Sequence, residues 1–320
     1  MEEYTKSMSD IPELGDIFFE NLNLKRFYLH YNTRTMVKKE RYTIRNMTED
    51  EVESVAVAWA AKEGWNPGLY DAPCFYATNP KGFFVGLLGN EPISCISAVA
   101  YDRDFAFLGF YIVKPEHRGK GYGLKIWNAA IAYLQTQNIG LDGVVEQQET
   151  YKKSGFKLAY NNIRYEGKAK PTTEQFPEIV PLSEVSFDDV SRYDTNLFHV
   201  PRPQFLQCWV KQPEGLALAA IREGKVVGYG VIRKCRSGYK IGPLFADTKY
   251  LANKLFLALN NFVEPGAQIY LDTLEVNQAA VQLAEDHGMH KVFETARMYT
   301  KSQPDIEINK VFGVTTFELG

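Results

Sequence analysis

Hydrophobic positions along this 320-residue chain follow two alternating periods. Residues 41–45, 83–88, 93–101 and 105–113 are short apolar and β-branched runs that predict strands. Residues 124–134 instead carry their apolar side chains at helical spacing. Thr48-Glu-Asp-Glu51 has the form of a capping box, so a helix is expected to open there. It should run through Val52, Val55, Ala56 and Trp59 and stop at Gly64. Gly89-Asn90 predicts a hairpin between the second and third strands, and residues 139–145 add a further strand after the second helix. The predicted order is β-α-β-β-β-α-β.

The pattern then returns. Residues 216–221 and 225–233 predict a hairpin through Glu223-Gly224, followed by a strand at 239–245, a helix at 251–262 and a strand at 268–272. Leu141-Asp142 recurs as Leu271-Asp272, and Gly155-Phe156 as Gly288-Met289. Two similar domains are expected, at 40–168 and 179–320, each large enough for its own core. A charged and polar link at 169–178 should be short enough for the halves to touch. Residues 1–39 form an N-terminal extension expected to be partly helical or flexible.

Chemistry concentrates between the strand at 105–113 and the helix at 124–134. Gly119, Gly121 and Gly123 let the backbone turn tightly, so that amides at the helix start converge where the dipole favours an anion. A nucleotide P-loop is excluded because no Lys-Ser or Lys-Thr follows the glycines at its spacing. A dinucleotide fingerprint is excluded because the spacing here is Arg118-x-x-Gly121-x-Gly123.

That spacing resembles motif A of the GNAT acyltransferases, and Tyr151-Lys-Lys-Ser-Gly-Phe156 resembles the end of their motif B. The resemblance implies an α/β fold (an α+β mixed sheet). Each of two tandem domains would be a twisted, mostly antiparallel sheet flanked by helices, with a splayed parallel strand pair. It also implies acetyl-CoA as acyl donor, its pyrophosphate held by Arg118, Gly119, Lys120, Gly121, Tyr122 and Gly123. The pantetheine arm would pair with Tyr111, Ile112 and Val113, and Tyr151 would be the general acid that protonates the leaving thiolate. Where the family usually has Asn, this chain has Val144, with Gln147 and Gln148 as candidate substitutes. Glu146 is the candidate base, with Asp142 and Glu149 near the same strand end and a water relay as the alternative. Trp65 and Asn66, in the loop 63–68, are the candidate acceptor-binding residues.

The second half resembles a YitH-type C-terminal acetyltransferase domain in residues 239–247, 295–299 and 316–320. Its glycine loop is replaced by Ala246-Asp-Thr-Lys-Tyr-Leu-Ala252, and Ala284 stands in the slot of Tyr151. Side chains bar close backbone approach there, and Asp247 would repel a pyrophosphate, so no acetyl-CoA is expected in this half.

Composition narrows the partners. A net charge of −3 and a hydrophobic content of 45% suit a globular protein without general affinity for nucleic acid or anionic membranes. No apolar run is long enough to span a membrane, and no signal-peptide pattern opens the chain, so a cytoplasmic protein is expected. Cys74, Cys95, Cys208 and Cys235 lack metal spacing and read as reduced thiols, and no metal is expected. The expected function is direct acetyl transfer to a primary amine of a small molecule or peptide. A non-catalytic acyl-CoA sensor or interaction module is the alternative, and the oligomeric state is left open.

Overall fold

A computed structural model describes residues 40–135 and 137–320; the expected extension at 1–39 lies outside the described residues. The first half opens with β1 (Tyr42–Asn46) and a helical stretch α1 (49–62), whose middle, Val52–Val57, is π-helical. The capping box forms: Thr48 Oγ1 accepts from the Glu51 amide, and the Glu51 carboxylate accepts from the Thr48 amide. Then come α2 (Asp71–Thr78), β2 (Phe83–Leu88), β3 (Glu91–Ala100) and β4 (Phe105–Val113). The half closes with α3 (Tyr122–Leu134), β5 (Asn138–Val144), α4 (Gln148–Lys153) and β6 (Lys157–Lys168).

The second half repeats this plan with β7 (Ile179–Pro181), α5 (Phe187–Phe198), α6 (Pro203–Trp209), β8 (Gly215–Arg222) and β9 (Lys225–Lys234). The predicted turn between β8 and β9 holds both Glu223 and Gly224 at positive φ, as a two-residue primed turn requires. The chain continues through β10 (Tyr239–Ala246), α7 (Lys249–Asn260), β11 (Gln268–Leu274), α8 (Gln278–Asp286), β12 (His290–Tyr299) and β13 (Val311–Gly313).

The periodicity did not reveal where the last strand of each half goes. β12 leaves its own half and pairs between β5 and β6, while β6 pairs with β11. The two halves thus exchange strands reciprocally, and one sheet runs β1-β2-β3-β4-β5-β12-β6-β11-β10-β9-β8-β7. Residues 41–320 consequently form a single compact unit.

Buried charge pins the exchange. Arg297 of β12 grips Asp142 of β5 through Nε at 2.9 Å and Nη2 at 2.6 Å. Arg164 of β6 grips Asp272 of β11 in the same two-pronged way, at 2.7 Å on each side. The repeated Leu-Asp pair therefore has a structural meaning: each aspartate receives an arginine from the other half. Removing one partner of such a pair leaves an uncompensated buried charge, at a cost of about 3–5 kcal/mol.

The expectation of four reduced thiols is corrected. Cys74 of α2 and Cys208 of α6 form a disulfide across the halves, at a sequence separation of 134. Sequence spacing could not reveal this pair, because the two helices belong to different halves of the chain. Cys95 and Cys235 are free and buried, and burial pushes the thiol pKa of both upward.

Candidate active site

β4 and β5 run parallel from the Phe105–Asn138 pair to the Leu108–Leu141 pair and then separate. Beyond Leu108, β4 bulges: Phe110 takes φ +48°, and the β3 register slips between Cys95 and Ser97. The strands splay around a cavity of about 660 Å³.

One part of its wall is the glycine loop. Gly119 and Gly121 sit at φ +74° and +80°, the left-handed region that glycine alone enters freely. Gly121 is the N-cap of α3, and no side chain caps that helix, so its first amides are left for another acceptor. Gly121, Gly123 and Leu124 line the cavity. A methyl on Gly123 would lie 2.6 Å from the Tyr111 hydroxyl, which explains a glycine inside the first helical turn. Arg118 donates through Nε to the Val113 carbonyl at 2.8 Å and through Nη2 to Glu63 at 2.5 Å. His117 also lines the cavity, and its Nδ1 is buried without a partner among the described residues.

Tyr151 stands on the opposing strand side. Its ring stacks on Trp127 at 5.9 Å and covers Gly143, where any Cβ would strike it at 2.2 Å. Burial pushes its phenol up to about 12, so the hydroxyl keeps its proton at neutral pH.

The remaining wall comes largely from the second half. Phe293 and Thr295 arrive on the exchanged strand β12, and Phe317 and Glu318 on the C-terminal tail. Arg164 lies beneath the rings of Phe293 and Phe317, at 5.8 and 5.0 Å, and donates to the Trp65 carbonyl at 2.6 Å. One buried guanidinium thus ties together aromatic residues from three separate segments.

The residues singled out from the sequence fall into two groups. Trp65, Tyr111, Ile112, Val113, Arg118, Gly119, Gly121, Gly123 and Tyr151 line one cavity. Lys120, Tyr122 and Glu146 are not part of its lining, and Glu146 is exposed before α4. Asn66 also lies outside the lining: its side-chain amide bonds the Ser237 backbone in both directions, at 2.9 and 2.8 Å, and so fixes the loop to the second half. Asp142 reaches the lining, but Arg297 and Asn162 already occupy its carboxylate. Gln147 lines the cavity and Gln148 does not. Glu318, Thr295, Phe293, Phe317 and His117 were not found from the sequence. For Glu318 the only signal was its place in the subfamily-like ending 316–320.

The corresponding splay in the second half is filled. β10 and β11 run parallel to the Ile241–Leu271 pair and separate, but β13 then pairs with β10 through Leu244–Gly313 and Phe245–Val311. Val314 donates to the Asp272 carbonyl of β11 at 2.8 Å, closing the other side. Asp247, expected to repel a pyrophosphate, instead pairs with Lys310 at 3.2 Å, just ahead of β13. The chain then passes Gly242, where a Cβ would meet the Val314 and Thr315 carbonyls at 2.6 and 2.8 Å. It goes on to Gly109, where a Cβ would meet the Glu318 carbonyl at 2.0 Å. One tail therefore plugs the second cleft and walls the first.

A sheet that splays twice, the first time beside a glycine-capped helix, defines a tandem acyltransferase fold. Models of the GNAT acetyltransferase family and of a GNAT acetyltransferase domain match residues 44–156 and 190–313, respectively. The chain is 32% identical over 263 residues to holothin acyltransferase of Pseudoalteromonas sp. (strain SANK 73390), covering 82% of this chain and 89% of that one. It is 23% identical over 247 residues to the uncharacterized N-acetyltransferase YitH of Bacillus subtilis, covering 75% and 86%. A Pyrococcus horikoshii crystal structure, provisionally described as an acetyltransferase, superposes with a TM-score of 0.75 at 22% identity, covering 87% of this chain and 96% of that one. The chain belongs to the GNAT acyltransferases and carries two GNAT domains in tandem. Among the described residues no helix is long and apolar enough to cross a membrane.

Proposed function

We propose that this acyltransferase moves an acetyl group from acetyl-CoA to a primary amine in the β4–β5 cleft. The observation that carries the reading is one cavity bounded by both the uncapped start of α3 and the protonated phenol of Tyr151. The amides from Gly119 to Leu124, with Arg118, would hold the pyrophosphate. Glu63 would have to release Arg118 as the phosphates enter. The free edge of β4 beyond Leu108 would pair with the pantetheine arm, and its amides would stabilise the oxyanion of the tetrahedral intermediate. Attack by the amine then expels the thiolate, and Tyr151 protonates the sulfur. The relative named for holothin supports a small-molecule acceptor. The filled β10–β11 splay supports a single donor site per chain.

The test is Tyr151→Phe. Acetyl-CoA binding should persist while turnover falls by about 10²–10⁴-fold. Because the phenol titrates near 12, the wild-type rate should show no loss from this group as pH rises to about 10. Undiminished turnover in the variant would remove Tyr151 from the mechanism.

A further inference from the structure

The acyl-transfer reading leaves open what receives the acceptor nitrogen. We propose that Glu318, carried into the first-half cavity by the C-terminal tail, binds the acceptor's amine and takes its proton. The acceptor would be a flat aromatic amine without a carboxylate, seated among Trp65, Phe293 and Phe317. This rests on the acyl-transfer reading and assigns the acceptor side of the same cleft.

Three observations carry it. First, Glu318 is only 4% exposed, yet it lines the cavity. Among the described residues its carboxylate has no hydrogen-bond or ion-pair partner, whereas the nearby buried carboxylates Asp71, Asp142 and Asp272 are each held by an arginine. A carboxyl group left in this condition has hydrogen-bonding capacity that a ligand in the cavity can complete. Second, Thr295, 2% exposed, also lines the cavity with an unpartnered hydroxyl. It lies directly across the ladder from Val144, the position that lacks the family's usual Asn. The exchanged strand therefore supplies a polar group where β5 has none. Third, the surrounding surface is aromatic and is fixed by Arg164, so it offers flat faces rather than a second charge.

The competing role for Glu318 is as a counterion to the buried cations Arg164, Arg233 and Lys240, which feel its charge. Two of these already hold aspartates, and Lys240 donates to the Asn66 carbonyl at 3.0 Å. The tail also has its own anchors. Thr316 Oγ1 accepts from the Glu318 and Leu319 amides at 3.0 Å each, and Tyr101 donates to the Leu319 carbonyl at 2.7 Å. The carboxylate is not needed to hold the segment in place.

The proton inventory closes. An incoming ammonium gives one proton to Glu318 and becomes nucleophilic. The nitrogen–carbon bond forms first, giving the tetrahedral intermediate; its collapse breaks the carbon–sulfur bond, and the sulfur takes the Tyr151 proton. The second nitrogen proton leaves as the amide forms and returns to Tyr151 through solvent. Glu318 releases its proton to solvent.

The experiment follows CoA release from acetyl-CoA by the full chain, with tyramine and tryptamine as acceptors and tyrosine and tryptophan as their carboxylated counterparts. The amines should be preferred by about 10²-fold, and Glu318→Gln should lose about 10²–10³-fold in kcat/KM for them. Acetyl-CoA affinity in that variant should stay within about twofold. Glu318→Asp keeps the charge but withdraws it by one methylene. The acceptor role predicts a substantial loss of kcat there too, whereas a counterion role predicts near-normal rates. Unchanged turnover in Glu318→Gln, a near-normal Glu318→Asp, or a preference for the amino acids would each overturn the proposal. Transfer only to aliphatic amines such as spermidine would overturn it while sparing the acyl-transfer reading. No transfer to any amine would remove both.

Discussion

The β4–β5 and β10–β11 clefts are built alike and end differently. Each begins with a parallel pair that stops beside a glycine, Gly109 in one and Gly242 in the other. In the first the separated strands leave a cavity of about 660 Å³; in the second β13 enters and completes the ladder. The first has two glycines ahead of its helix and a third inside the first turn, whereas Thr248 caps the second helix with its own hydroxyl, to the Leu251 amide at 3.3 Å. A splayed strand pair therefore does not define a donor site by itself. It must also keep its backbone donors unpaired, and the second half has satisfied its own internally.

The comparison is broken most forcefully through the buried ion pairs. Asp142→Ala and Asp272→Ala should each destabilise the chain by about 3–5 kcal/mol, and by similar amounts, since each strands one buried arginine. Denaturant unfolding followed by tryptophan fluorescence checks this. A large loss in one with none in the other would show that the exchange is not energetically reciprocal.

Gly109→Ala and Gly242→Ala sharpen the contrast. Each new methyl would collide with a tail carbonyl, so each should cost about 1–3 kcal/mol. Only Gly109→Ala pushes on the residue that faces the first cavity, so its turnover should fall further than that of Gly242→Ala. Equal turnover in the two would argue that the tail does not shape the working cleft.

The smallest effect is expected at Lys310→Ala. Its contact with Asp247 is partly exposed, and its loss should shift stability by less than about 1 kcal/mol. β13 should stay in place, and acetyl-CoA stoichiometry should not change. A second binding site appearing in this variant would mean that this one ion pair, not the strand, closes the cleft.

Features that depend on neighbours in sequence were legible from the start. The capping box at Thr48, the Glu223-Gly224 turn and the glycine loop all form through contacts a few residues apart. So did the contrast between the two loops, because the glycines of one and Asp247 of the other can be read directly. Strand exchange was not legible, because β12 presents the same alternation whether it pairs at home or next to β5. The Thr295–Val144 pairing follows from that exchange, and the Cys74–Cys208 disulfide and the arrival of Glu318 at Gly109 likewise join the two halves. Each joins segments that the sequence separates by a domain length or more, and so none leaves a local pattern.

The central claim is that one chain holds one acetyl-CoA, gripped by the amides that follow Arg118. Calorimetric titration of the full chain tests it most directly. The expected result is one site per chain, abolished when Gly121→Asp and Gly123→Asp are combined, because their carboxylates and side chains occupy the phosphate position. Two sites per chain, or binding that survives the double substitution, would contradict the account.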